Sequence, residues 1–75
     1  MNNNRRTAIR LLKAKFELLK DELDNILYEE QGYYDNIPEN LQSGINAMNS
    51  EDAISSLEEV QESIETILDS LSEIA

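Results

Sequence analysis

The 75-residue chain has no cysteine, no histidine and no tryptophan. Without cysteine there is no disulfide, no thiolate nucleophile and no thiolate metal site. Without histidine the chain lacks the commonest general base and the commonest transition-metal ligand. It has a single proline, Pro38, and two glycines, Gly32 and Gly44, so backbone punctuation is confined to the middle of the chain. No apolar run approaches the ~18 residues of a membrane span. The apolar residues near the N-terminus are interrupted by Arg10, Lys13 and Lys15, which excludes the unbroken core of a signal peptide. These absences predict a single soluble, cytoplasmic domain spanning residues 1–75, without cofactor, metal or catalytic residues.

Cations are absent from most of the chain. Arg5, Arg6, Arg10, Lys13, Lys15 and Lys20 all lie in the first 20 residues, with Glu17 the one carboxylate among them. The other fifteen carboxylates follow, so residues 1–20 carry a formal +5 and residues 21–75 a formal −15, for a net charge of −10. Such a balance disfavours nucleic acid or anionic lipid as a direct partner and favours a protein with basic groups.

Two stretches carry heptad spacing. Ile9, Leu12, Phe16, Leu19, Leu23 and Ile26 are separated by 3,4,3,4,3, and so are Leu57, Val60, Ile64, Ile67, Leu71 and Ile74. This period predicts two amphipathic helices of coiled-coil type. Helix 1 is expected over about 4–31, with Asn3 or Asn4 as N-cap and Gly32 as a left-handed stop. Helix 2 is expected over about 44–74, with Ser50 as a second possible start. Between them, residues 32–43 hold Tyr33, Tyr34, Asp35, Asn36, Ile37, Pro38 and Leu41, too many large apolar groups for a slack linker. Pro38 directs Ile37 into an extended conformation and opens a turn.

A connector this short requires antiparallel neighbours. So do the charges, because the cationic start of helix 1 and the acidic end of helix 2 each oppose their own helix dipole and relieve each other when side by side. The predicted fold is therefore all-α, an antiparallel helical hairpin. Two helices with stripes this wide leave apolar surface uncovered, so the expectation extends to a homodimer forming a four-helix bundle, with Leu11, Leu18, Ile54 and Leu68 widening the seam into the oligomer contact. Ser56, Ser63 and Ser70 recur every seven residues on the other flank of helix 2, where a small side chain permits close helix approach.

Several constellations compete for function. The row Glu58, Glu62, Glu65, Asp69 and Glu73 follows helical spacing; it reads as a solvated outer face or as a phosphate mimic fitted to a basic groove. Asp21, Glu22, Asp24 and Asn25 lack the alternation and central glycine of a calcium loop. Glu29 and Glu30 lack the enclosing pocket that would raise a carboxyl into acid–base work. The connector tyrosines read as a local mini-core or as a recognition loop, since exposed aromatics beside turn residues are typical anchors.

The block Glu29-Glu30-Gln31-Gly32-Tyr33-Tyr34-Asp35-Asn36-Ile37-Pro38-Glu39-Asn40-Leu41-Gln42-Ser43 resembles a segment of small acidic proteins from bacteriophages and mobile elements of Gram-positive bacteria. The resemblance covers about fifteen residues and implies a phage or mobile-element origin, in the host cytoplasm during infection; it brings no biochemical activity with it. The leading expectation is a non-enzymatic protein-interaction module that binds through Tyr33, Tyr34, Asp35, Asn36, Ile37, Pro38 and Leu41 a partner with a basic rim. The alternatives are an acidic nucleic-acid mimic that inhibits a host-defence enzyme, of the anti-restriction or anti-CRISPR type, and a structural assembly subunit.

Overall fold

The computed structural model describes residues 2–74. Two long helices, α1 (Asn3–Asp35) and α2 (Ile45–Ile74), pack antiparallel and are joined by a connector holding one 3-10 turn, Glu39–Leu41. The described chain is all-helical, an elongated hairpin of 60 × 15 × 13 Å between Cα atoms.

Helix α1 starts one residue before its sequence signals. Asn2 is the N-cap, its side-chain oxygen accepting from the Arg5 N–H at 2.8 Å. At the other end α1 runs straight through Gly32, which has no positive φ, and ends only at Asp35. The left-handed stop expected at Gly32 is thus not used. Asn36 closes the helix instead: its N–H reaches the Gly32 and Tyr33 carbonyls at 3.2 and 3.3 Å, and its side-chain amide donates to the Gly32 carbonyl at 2.9 Å. Helix α2 continues without interruption through Asn49 and Ser50. Ser50 is no cap; it is buried, and its hydroxyl donates to Glu30 at 2.8 Å.

The seam between the helices is rotated from the predicted one. The least exposed positions of α1 are Ile9, Phe16, Leu23 and Glu30, alternating with Lys13, Lys20, Leu27 and Tyr34. On α2 they are Ser50, Leu57, Ile64 and Leu71, alternating with Ala47, Ile54, Gln61 and Leu68. Leu12, Leu19 and Ile26 on α1, and Val60, Ile67 and Ile74 on α2, were expected in the seam but lie outside it and exposed; Leu19 is 49% and Val60 47% accessible. At 100° per residue this is a rotation of about 50° in each helix. Its physical reason is polar pairing between the helices, which the rotation brings within reach. Gln61 donates to Asp24 at 2.8 Å, Lys20 approaches Glu65 at 4.0 Å, and the Tyr34 hydroxyl donates to Glu51.

The residue numbers sum to 85 in these three pairs and to 80 in the bond between Ser50 and Glu30, and because long helical side chains lean towards the N-terminus of their own helix the backbone register lies between the two values. Ile74 therefore lies opposite the stretch 6–11 of α1, and the first residues of α1 extend past the end of α2. This overhang carries Arg5 and Arg6 beyond Glu73. The expected charge neighbourhood is present in orientation but not in contact. Among the described residues the ion pairs are those of Lys20, with Asp24 at 3.2 Å and with Glu65; Arg5, Arg6, Arg10, Lys13 and Lys15 make none.

Candidate functional site

The tip of the hairpin is built by a short chain of backbone bonds. Pro38 cannot donate and adopts an extended ψ of 144°, which ends the helical path. The Leu41 N–H then reaches the Pro38 carbonyl at 2.8 Å, and Gln42 the Glu39 carbonyl at 3.3 Å, forming the 3-10 turn. The Gly44 N–H closes on the Leu41 carbonyl at 3.0 Å, and the Met48 N–H on the Gly44 carbonyl begins α2. A Cβ at Gly44 would meet the Leu41 carbonyl oxygen at 3.1 Å, so a small residue suits this turn.

Around this turn lies an open, mainly apolar cleft of about 610 Å3, within the size range of ligand and peptide pockets. Tyr33, Asn36, Ile37, Pro38 and Leu41 line it, together with Gly44, Ile45 and Asn46. Tyr33 is 51% and Ile45 75% exposed, so their apolar surface faces solvent. The carboxylates of Asp35, Glu39, Glu51 and Asp52, all exposed, surround the tip, while every cation of the chain lies in the first 20 residues, towards the opposite end.

The structure separates the residues of the expected recognition loop. Tyr33, Asn36, Ile37, Pro38 and Leu41 come together in the cleft. Tyr34 does not line it: half-buried, it turns to α2 and donates to the Glu51 carboxylate, which ties the tip of α1 to the start of α2. That bond, aided by desolvation, raises the phenol pKa above its ordinary value. Asp35 also stays outside, accepting from the Gln31 side chain at 3.0 Å. Gly44, Ile45 and Asn46 were missed by sequence reasoning. The signal was a glycine directly before an isoleucine at a helix start, and the exposure of Ile45 goes with its place in the cleft.

The acidic row is exposed along α2. Glu58, Glu62 and Glu65 border a shallow polar groove with Glu59 and Gln61, and Asp69 and Glu73 continue the row towards the open end. Asp24 sits across from it, its carboxyl held below the usual carboxylate range first by the Gln61 hydrogen bond and then by Lys20. Of the expected oligomer contacts, Ile54 is buried and Leu68 half-buried in the hairpin's own seam, because the rotation turned them inward. Leu11 and Leu18 are exposed on the side of α1 facing away from α2.

Among the described residues no group of three or more acidic side chains is arranged to hold a metal ion, and no helix is long and apolar enough to cross a membrane. No protein-family model, no curated protein and no solved structure matches the chain.

Proposed function

We propose that the protein is a non-enzymatic interaction module whose tip cleft receives an apolar segment of a protein partner with basic residues at its rim. The observation that carries this reading is the cleft itself. An apolar, solvent-open concavity at the end of a rod, with Tyr33 of α1 and Ile45 of α2 in its lining, has the form of a pocket for one or two anchoring side chains. Its acidic surround favours basic flanks on the partner and would speed their approach. The connector's resemblance to small acidic phage and mobile-element proteins supports a host or phage protein as the partner, met in the cytoplasm.

The second reading is a nucleic-acid mimic. The groove bordered by Glu58, Glu62 and Glu65 favours it, since these carboxylates follow one another at helical spacing on an open surface.

Binding assays on proteins captured from a host lysate separate the two. Tip recognition expects capture to be lost with Ile45→Asp or Tyr33→Ala and to weaken little with salt. Mimicry expects capture to survive those changes, to be lost when Glu58, Glu62 and Glu65 become glutamine, and to fall steeply with salt. Capture that is indifferent to both sets would overturn both readings.

A further inference from the structure

The rotated seam leaves a second apolar surface that the hairpin itself does not use. In an antiparallel pair, equivalent heptad positions of the two helices face the same side, because an approximate two-fold axis normal to the pair relates them. Tyr33 and Asn46 lie seven-residue steps along from Ile26 and Val60, and they share one cleft. Asp24 and Glu58, from the equivalent polar positions, border a common groove on the other side. Leu12, Leu19 and Ile26 therefore lie on the same broad face as Val60, Ile67 and Ile74, and all six are exposed. The opposite face carries the polar pairs of Asp24, Gln61, Lys20 and Glu65.

We infer that this face is covered by a second copy of the same chain, packed face to face with its long axis inverted, to give a four-helix bundle. Three features select a second copy. The first is charge along α1. Beside the apolar row, Lys15 and Glu22 occupy equivalent positions one heptad apart. Inverting the second copy about Leu19 sets Lys15 near its Glu22 and Glu22 near its Lys15. The same operation brings Arg5 and Arg6, which form no ion pair among the described residues, alongside the second copy's turn carrying Glu29 and Tyr33. A parallel arrangement would instead stack the +5 segments on each other and the acidic tips on each other. The second feature lies on α2. This helix has no cation at all, yet the positions flanking Val60, Ile67 and Ile74 on the outer side are Ser56, Ser63 and Ser70, so two copies of α2 meet there with neutral, small side chains. The third is size. The 60 × 15 Å face is comparable with the ~800 Å2 per partner of a specific interface, and the single hairpin buries only Leu23, Ala47, Ser50 and Ile54 among the described residues. The overhang reaches Tyr33 but stops short of Pro38 and Leu41, so the tip stays open in the pair.

The absence of native cysteine makes the arrangement testable by disulfide cross-linking. A mixture of Leu12→Cys and Ile26→Cys chains should give the mixed disulfide dimer under mild oxidation, and neither chain alone should cross-link to itself. Self-cross-linking of Leu12→Cys, or no cross-link in the mixture, would overturn the inference. Two surface variants give a readout that does not depend on the fold. Lys15→Glu and Glu22→Lys should each weaken the dimer by roughly tenfold in sedimentation equilibrium, and the double exchange should restore it. Failure of the double exchange to recover affinity would equally overturn the inverted pairing.

Discussion

The two broad faces of the hairpin are made from the same two helices and differ in nearly everything else. One carries hydrogen bonds and an ion pair between the helices: Gln61 to Asp24, Tyr34 to Glu51 and Lys20 to Glu65. The other carries Leu12, Leu19 and Ile26 beside Val60, Ile67 and Ile74, exposed and without polar partners. The difference shows that the heptad apolar rows have two destinations. One half of each row closes the hairpin and the other half is presented outward. Polar side chains decide which half does which, because they find partners only when each helix is rotated towards the polar face.

The largest effect that sharpens this comparison should come from the shared seam. Leu23→Ala or Ile54→Ala, each at a position only 8% exposed, should cost about 2–4 kcal/mol in chemical denaturation. A loss below about 0.5 kcal/mol would place the seam elsewhere. Next comes the apolar face. Leu19→Glu should raise the dimer dissociation constant by roughly 100-fold or more. It should also remove the concentration dependence of Tm, since stability gained by association follows mass action. Ser50→Ala removes the buried donor to Glu30 and should cost about 1 kcal/mol, read from the same denaturation curves.

Smaller effects belong to the polar face and to the end of α1. The carboxyl of Asp24 titrates lower in the folded chain than in the unfolded one, so its contribution is fully present above the ordinary aspartate pKa of about 3.9 and is lost as pH falls through the lowered folded value. Asp24→Asn should therefore destabilise at neutral pH, with the gap to the unmodified chain narrowing below about pH 4. A gap that widened on acidification would contradict the bond to Gln61. The smallest change carries the opposite sign. Gly32 sits inside a helix at ordinary negative φ, and a Cβ there would meet nothing within 4 Å. Gly32→Ala should stabilise by about 0.5–1 kcal/mol, and a loss of stability would mean the helix does end there.

Gly32 also shows where local sequence signals reach their limit. Glycine after a long heptad run is the usual mark of a helix end, yet Tyr33, Tyr34 and Asp35 continue the helix because Tyr34 has Glu51 to bond on α2 and Asn36 supplies the cap. That partner is 17 residues away in sequence and invisible to a local pattern. The two helices, their antiparallel order and the ordered connector were legible, because heptads, a single proline and the charge split all agree. The seam was legible only to within a rotation. Leu12 and Leu27 are equally apolar, and what chooses Leu27 is the pairing of Asp24 with Gln61. At the tip, five of the eight cleft residues could be read from the connector. Ile45 could not, since it falls off the 3,4 row of α2 and two positions before the buried Ala47, on the side of the helix turned away from the seam.

Sedimentation equilibrium of the unmodified chain at micromolar concentration tests the division between the two faces most directly. The account predicts a species of twice the 8.6 kDa chain mass, converted to a folded or unfolded single chain by Leu19→Glu. A wild-type chain that sediments as a stable, fully helical 8.6 kDa monomer would contradict it.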